Sequence, residues 1–361
     1  MLKILDKYDY KFSNDLIAQK PAMPRDSSRL LVYSKKSDAL AEDIFLNLDK
    51  YLPPSAVLVF NKTKVVPARL ILQKPNGGKV QILYLETRGG LIRVMANRRL
   101  EEGIKLDLVS RAGFCLSRGH EVTLRGTLPQ AINFIVKKKA GKYYDLLPSF
   151  KIKKLFAVLE KYGKTPIPPY IKNSPLTEKG LRKKYQTIFA RERGSVAAPT
   201  ASLHFTERLF KRLKNKGFGI EFVTLHVNLG TFAPVTEENL KTGRLHKEYF
   251  EINKKTAVAL NRARQQGRLI IAVGTTSIRT LESVAKNGKL QACSGITDLF
   301  ICEGYKFKFI DGIITNFHVP KSSLMMLVAA FIGRKKLLKL YRYAINQKFR
   351  FFSFGDGMLV C

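Results

Sequence analysis

The pattern of apolar and polar residues predicts alternating strands and helices from about residue 185 to the end of the chain. Short apolar runs typical of buried strands lie at 268–274 and 307–315, and stretches of helical periodicity lie between and around them. We predict helices at 205–217, 256–267, 275–288, 322–333 and 335–347, and a last strand at 349–355 (FRFFSFG). Such alternation is typical of an α/β fold.

Residues 65–148 follow another pattern. Short β-rich runs are separated by glycine-rich or polar turns, with no helical stretch between them; they lie at 79–86, 91–96, 104–109, 121–126, 132–138 and 142–147. This favours a small barrel or sandwich, the alternative being a meander attached to a larger sheet. We therefore predict an α/β protein with a larger discontinuous body, residues 1–64 and 149–361, and a smaller inserted all-β, barrel-like domain, residues 65–148. The helix at 151–163 and the proline-rich connector at 164–172 are assigned to the body.

The charge indicates a polyanionic partner. Lys and Arg number 64 against 28 Asp and Glu, a net charge of +36. Nucleic acid is the partner that such a charge favours, although a lysine-rich composition spread over a solvated surface explains it equally well. We find no apolar run long enough to cross a membrane, no secretion signal, and no metal-ligand spacing among the four cysteines. We expect a cytoplasmic protein without a metal.

Two strand–loop–helix junctions predict a ligand pocket. Gly274 ends the strand at 268–274, and Thr275, Thr276 and Ser277 open the next helix, where free N–H groups and hydroxyls bind phosphates or carboxylates. Asn316 and His318 follow the strand at 307–315 in the same design. Two such loops at one sheet edge would form a pocket, whereas ordinary hydroxyl caps are the plain alternative.

A run of small residues, SVAAPTASLHFTERL (195–209), precedes His204. Small side chains at Ala198, Pro199 and Thr200 let the backbone approach a bulky ligand. We predict that His204 and Glu207 start the next helix and face the same side. A tight packing turn explains the run equally well.

A second histidine, His226, lies in the strand-like segment GIEFVTLHVNLG. Strand alternation places His226 with Thr224 and Asn228 on a polar face near the carboxyl end of the strand, a position suited to chemistry. A hydrogen-bonded structural histidine fits the pattern equally well. Near the amino terminus, Arg25, Arg29, Asn61 and Arg69 are candidates for phosphate contacts, the alternative being surface ion pairs.

Long stretches of the chain resemble a known family. They lie between residues 8 and 359 and include LVFNKTKVVPARL, TPIPPYI, YQTIFARERGSVAAPTASLHFTERL, TLHVNLGTFAPV, IIAVGTTSIRTLES, GIITNFHVPKSSLMMLVAAF and FFSFGDGML. The chain resembles the S-adenosylmethionine:tRNA ribosyltransferase-isomerases of queuosine biosynthesis. It departs from the family pattern at Lys62 and Lys64, at Ser202 and at Asn228, and Asn228 adds bulk near the expected pocket.

The resemblance implies the reaction and the fold. The ribosyl part of S-adenosylmethionine moves to the 7-aminomethyl-7-deazaguanine base at the tRNA wobble position and isomerises, giving epoxyqueuosine and releasing adenine and methionine. S-adenosylmethionine is then a co-substrate, no prosthetic group is expected, and tRNA is the partner of a monomeric protein. The family has an α/β body with an inserted β-barrel.

The resemblance also suggests roles for single residues. The sulfonium acidifies the C5′ hydrogens, so a base is needed there, and His226 or His204 are candidates. Asp298, Glu303 or His318 would protonate the leaving adenine, and Asp356 would orient the incoming amine. We expect Ala198, Pro199, Thr200, Gly274, Thr275, Thr276, Ser277 and Asn316 to hold S-adenosylmethionine, and Arg25, Arg29, Asn61, Arg69 and Arg279 to contact tRNA.

Two other functions remain open from the sequence. An RNA methyltransferase would use the same co-substrate, but the chain has no glycine-rich GxGxG loop after a strand. A non-catalytic tRNA-binding protein would need only the charge.

Overall fold

The structure, a computed structural model, describes residues 3–109, 132–228 and 234–361. The chain forms two compact units, one of Met1–Lys64 and Ile167–Cys361 and the other of Val65–Pro166. Among the described residues no helix is both long and apolar enough to cross a membrane.

The strands and helices are numbered in chain order over the described residues. The strands are β1 Arg29–Tyr33, β2 Leu40–Ile44, β3 Val57–Asn61, β4 Thr63–Val65, β5 Arg69–Gln73, β6 Lys79–Arg88, β7 Leu91–Ala96, β8 Lys105–Leu108, β9 Asn133–Ala140, β10 Tyr143–Pro148, β11 Glu192–Ser195, β12 Gly219–Leu225, β13 Arg244–Ile252, β14 Ile270–Val273, β15 Cys293–Leu299, β16 Gly312–Asn316 and β17 Gly357–Val360. The helices are α1 Lys3–Asp6, α2 Leu155–Tyr162, α3 Glu178–Lys184, α4 Glu207–Asn215, α5 Glu237–Thr242, α6 Lys254–Gln265, α7 Thr275–Val284, α8 Ser323–Ile332 and α9 Arg334–Asn346.

The larger unit is built on a nine-stranded mixed sheet. Its strand order is β15-β13-β12-β3-β14-β16-β17-β1-β2. The neighbours β12, β3, β14 and β16 run parallel, so their carboxyl ends meet at one edge of the sheet. Strands β14 and β16 are buried along their whole length, as expected for parallel strands covered on both faces. Separate apolar clusters cover the two faces of the sheet.

The smaller unit contains a closed barrel with strand order β10-β7-β6-β5-β8-β9. The predicted fold class, an α/β body with an inserted β-barrel, is confirmed. The strand predicted at 121–126 lies outside the described residues. The second boundary of the unit lies at Pro166 rather than at 148, because α2 packs against β5 and the backbone of Lys164 pairs with Arg69.

The strand predicted at 349–355 is wrong. Phe349 and Phe351 enter the core, but the chain then turns at 352–355, and the last strand is β17. Phe352 has φ 69°, a conformation that few side chains adopt outside turns. At Gly355 a Cβ atom would lie 2.4 Å from the Arg350 carbonyl oxygen, so only glycine fits this turn. The alternating pattern of the phenylalanines therefore reflects packing from a turn.

Candidate active site

A cleft of about 390 Å³ lies at the carboxyl edge of the parallel strands. The loops after β14 and β16 form two of its walls, as the two junctions in the sequence predict. The remaining walls come from segments distant in the chain. The lining residues are Leu5, Pro169, Tyr170, Ala197 to Ala201, Val227, Pro234, Gly274 to Thr276, Thr315 to Ser322, Leu324, Phe352 and Ser353.

The small-residue run forms one wall of this cleft. Ala198, Pro199 and Thr200 line it, and a short 3-10 helix begins at Thr200. Their side chains extend little from the backbone, so the cleft stays open next to the main chain. The predicted role of the run, the close approach of a backbone to a bulky ligand, stays a prediction.

The start of α7 contributes an unpaired hydroxyl. Gly274 has φ 84°, which lets the chain turn sharply from β14 into the helix. Thr275 and Thr276 line the cleft, and Thr276 Oγ1 is buried without a hydrogen-bond partner among the described residues. Ser277 does not share this position, because its hydroxyl donates to the Val273 carbonyl (2.9 Å). A buried hydroxyl without a partner is costly unless a ligand or water satisfies it.

Asn316, at the end of β16, is held by a hydrogen bond from the nitrogen of its side-chain amide. Its Nδ2 donates to the Phe352 carbonyl (2.9 Å), while Oδ1 is buried without a partner of normal geometry in the described chain. The Phe352 ring contacts that of Tyr170, with 4.8 Å between centroids, and the Tyr170 hydroxyl lies 2.7 Å from Ser353 Oγ.

Sequence reasoning missed three residues of the cleft lining, Tyr170, Phe352 and Ser353. A cleft-facing turn cannot be separated from a strand by the apolar pattern alone.

His318 lines the cleft as a neutral imidazole. Its Nε2 lies 2.8 Å from Thr315 Oγ1, and its backbone N–H donates to the Tyr341 hydroxyl (2.7 Å). The Tyr10 hydroxyl donates to its carbonyl oxygen. Burial lowers the pKa of His318 to about 3. The ring is therefore held in place and uncharged at neutral pH.

His204 lies in the 3-10 helix that precedes α4, outside the residues that line the cleft. Its ring stacks on Phe45 at 4.0 Å, and burial, with a smaller effect of Arg350, lowers its pKa to about 3, although the nearby Asn316 opposes the shift. The predicted pairing with Glu207 is wrong. Thr206 caps α4 by accepting from the Leu209 N–H, so Glu207 starts the helix on the exposed surface while His204 is buried before it.

These two buried histidines make stability fall in acid. Because His204 and His318 have folded-state pKa values of about 3 against 6.5 in the unfolded chain, the unfolded state binds more protons between pH 6.5 and 3. Stability is therefore lost as the pH falls through this window, by about 2 kcal/mol per imidazole between pH 7 and 5. Urea unfolding at both pH values measures the loss. His318→Gln should lose about 2 kcal/mol less than the wild type, and equal losses would contradict the account.

His226 follows β12 directly and is held on two sides. Its Nδ1 lies 2.8 Å from Thr63 Oγ1, and its ring stacks on Tyr249 with 5.4 Å between centroids. A Cβ atom at Gly194 would come within 2.8 Å of the imidazole. Burial lowers its pKa. The next residue, Val227, lines the cleft, whereas His226 is absent from the lining, so the strand alternation turns this histidine away from the cleft.

The predicted carboxylates also lie outside the cleft lining. Asp356 is buried and accepts from the Arg350 guanidinium (2.7 Å) and from the backbone N–H groups of Arg350 and Arg29, which fixes the turn before β17. Asp298 is partly exposed on β15, and its Oδ2 lies 3.7 Å from Arg244 Nη1. Glu303 is exposed, 3.8 Å from Arg334. The described residues include no cluster of three or more His, Cys, Asp or Glu side chains that could hold a metal ion.

The candidates for tRNA contacts are divided by burial. Asn61 is fully buried and bonds the backbone of Leu225 and Thr63. Arg279 is buried against Glu248. Burial contradicts the prediction for these two residues, because their donors do not reach the surface.

The three remaining arginines differ. Arg25 donates to the carbonyls of Lys183, Lys184 and Gln186. Arg29 is partly exposed, contacts Glu42 and lies over the Phe349 ring. Arg69 is half-buried on β5 of the smaller unit. A contact with phosphate at these three positions remains a prediction.

A cleft at the carboxyl ends of parallel strands, lined by small residues and buried unpaired polar atoms, is typical of an α/β enzyme that binds a nucleoside-sized ligand. The chain matches the family model described as queuosine biosynthesis protein over residues 5–360. It is 44% identical to the S-adenosylmethionine:tRNA ribosyltransferase-isomerase of Carboxydothermus hydrogenoformans and 42% identical to that of Halothermothrix orenii, with 99% of each chain covered. The crystal structure of the S-adenosylmethionine tRNA ribosyltransferase of Thermotoga maritima is similar to it, with a TM-score of 0.54 and 30% identity over 98% of this chain and all of that one. The chain belongs to the queuosine biosynthesis protein family.

Proposed function

We infer that the cleft binds S-adenosylmethionine and that the chain transfers and isomerises its ribosyl part onto a tRNA base, as an S-adenosylmethionine:tRNA ribosyltransferase-isomerase. One observation supports this use of the cleft above the others. Thr276 Oγ1 is a buried hydroxyl in the cleft, at the first turn of a ten-residue helix, and has no hydrogen-bond partner in the described part of the chain. The amino end of a helix attracts anions, so this hydroxyl and the positive end of the α7 dipole suit the methionine carboxylate.

The other walls then take the rest of the ligand. The backbone of Ala198 to Thr200 lies against the nucleoside, where bulkier side chains would fill the space. Asn316 lines the cleft, and its Oδ1, a buried acceptor that also lies near the His204 imidazole, suits a ribose hydroxyl or the adenine amino group. Tyr170 and Phe352 form an aromatic wall, whose π-faces attract the positive charge of a sulfonium.

His318 is suited to hold the ligand by a hydrogen bond and is not suited to act as a general base. A general base works best with a pKa near the working pH, and burial holds this imidazole far below that. We therefore propose that neutral His318 hydrogen-bonds the ligand. The sequence suggests His204 and His226 as the base. Neither residue lines the cleft, so we do not propose a direct contact of either with the ligand.

The second substrate is tRNA with 7-aminomethyl-7-deazaguanine at the wobble position, and we propose that a monomer acts on it in the cytoplasm. The net charge of +36 suits the phosphates of an anticodon arm. A wobble base is reached by splaying a single-stranded loop, with backbone contacts that supply most of the affinity.

Thr276→Val tests the assignment of the carboxylate site. Calorimetry should show S-adenosylmethionine binding about ten- to a hundredfold more weakly, as expected for losing a hydrogen bond to a charged group. The free protein should be as stable as the wild type or more so, because the unpaired hydroxyl is gone. Ser277→Ala is the matched control and should bind normally, since that hydroxyl faces Val273. Wild-type affinity in Thr276→Val would place the carboxylate elsewhere.

A further inference from the structure

Three side chains outside the cleft form a row across neighbouring strands, in which Tyr249 and Ile296 are exposed and His226 is half-buried. Tyr249 on β13 lies directly opposite Ile296 on the antiparallel strand β15. On its other side the Tyr249 carbonyl accepts from the His226 N–H (2.9 Å), which continues the pairing of β12 with β13. Residues directly opposite in antiparallel strands point to the same face. His226, Tyr249 and Ile296, called here the exposed row, therefore share one face at the end of the sheet.

The exposed row presents flat and apolar surface to solvent. Tyr249 is 36% exposed and Ile296 59% exposed, so both present apolar surface to solvent. The Tyr249 ring stacks on one face of His226, and Gly194 packs against the same imidazole. Among the described residues, β15 is the outermost strand on this side of the sheet, so no further strand covers Ile296.

The charges around the exposed row favour a polyanion. Four basic residues flank it: Lys247 two positions before Tyr249, Arg193 next to Gly194, and Arg191 and Lys62 on the adjoining segments, where the Arg191 N–H donates to the Lys62 carbonyl. Three acidic residues lie near the row: Glu192 and Glu251, whose charges favour protonated His226, and Asp298, two positions after Ile296, which pairs with Arg244. Glu192 lies 3.3 Å from Lys62 Nζ. The balance is positive, in a chain of net charge +36.

We propose that the exposed row is a stacking platform for an unstacked base of the tRNA substrate. This inference rests on the proposed function. Bases that leave a single-stranded loop stack on aromatic side chains while Lys and Arg track the backbone, which is the combination found here. The row is one residue along the chain from the cleft lining, because Val227 follows His226, although the two side chains point to opposite faces. The platform supports a base beside the reacting one and takes no part in the chemistry.

Tyr249→Ala tests the proposal in the full-length protein. The probe is tRNA carrying 7-aminomethyl-7-deazaguanine at the wobble position. Loss of one base–aromatic stack should weaken binding about five- to a hundredfold. Affinity for S-adenosylmethionine should not change. Because stacking is not ionic, the dependence of affinity on salt should run parallel to that of the wild type, whereas Lys247→Ala should lower the salt slope.

Two controls separate stacking from packing against His226. Tyr249→Phe keeps the ring and should bind tRNA like the wild type, and Tyr249→Leu keeps apolar bulk beside the imidazole and should bind as weakly as Tyr249→Ala. Equal tRNA affinity in the wild type and Tyr249→Ala would overturn the platform. A dimer of the wild type that dissociates in Tyr249→Ala or Ile296→Ser would overturn it too, since the row would then cover a second copy. Failure of the proposed function looks different, because the wild type itself would then neither bind tRNA nor release adenine.

Discussion

Replacing Ala198 with leucine should weaken S-adenosylmethionine binding at least about a hundredfold, which corresponds to roughly 2.7 kcal/mol. Ala198 is buried and lines the cleft, at the wall where we propose that the backbone approaches the nucleoside. Because Ala198 lines the cleft, the added carbons should occupy part of the space that the ligand needs, and relaxing an overfilled site costs about 1–3 kcal/mol or more. Because those carbons enter a cavity and not the close-packed core, the fold should survive, with circular dichroism and thermal unfolding close to the wild type.

Ala259→Leu is the matched control for this experiment. Ala259 lies on α6, is partly exposed and is not part of the cleft lining, so the same added carbons should leave the affinity unchanged. Titration calorimetry with S-adenosylmethionine compares the three proteins. If folded Ala198→Leu binds with wild-type affinity, the small-residue run does not contact the ligand and the cleft is not its site.

Arg279→Met should destabilise the protein by about 3–5 kcal/mol. The Arg279 guanidinium contacts the Glu248 carboxylate, and both side chains are buried. Its Nε also donates to the Leu299 carbonyl (3.1 Å), and Glu248 accepts from the Asn228 N–H (3.0 Å). Removing one member of a buried ion pair leaves the other charge in a medium of low dielectric constant, which explains the size of the loss.

Urea unfolding of three variants distinguishes this pair from an ordinary surface contact. Arg182→Met removes one member of a partly exposed i,i+4 pair with Glu178 and should cost less than about 1 kcal/mol. The double variant Glu248→Leu with Arg279→Met removes both buried charges and should recover much of the stability that Arg279→Met loses. A loss below about 1 kcal/mol in Arg279→Met would mean that the pair is not buried in solution.

The parts of the cleft that depend on short stretches of sequence are predictable from the sequence. A buried strand followed by glycine and hydroxyl residues marks the start of α7, and a similar junction marks the end of β16. Parallel strands place both junctions at one edge, so their meeting follows from topology. The barrel was also predictable, because β-rich runs without helices between them leave few other architectures.

The misplaced residues fail for specific physical reasons. Threonine is a preferred residue at a helix N-cap and histidine is not, so Thr206 predicts that α4 begins after it and leaves His204 outside the helix. Alternation separates His226 from Val227, but it does not say which face carries the cleft. Arg279 looks like a surface residue until Glu248, 31 positions away in the chain, comes against it. Such contacts between distant segments are not readable from a local pattern.

The most direct test of the account is to incubate the protein with S-adenosylmethionine and tRNA bearing 7-aminomethyl-7-deazaguanine, then analyse the small molecules and the digested tRNA by mass spectrometry. We expect free adenine, free methionine and a tRNA nucleoside heavier by the transferred, isomerised ribosyl part. S-adenosylhomocysteine with a methylated tRNA would contradict it and identify a methyltransferase. Salt-sensitive tRNA binding without any product would contradict it as well and identify a binding protein.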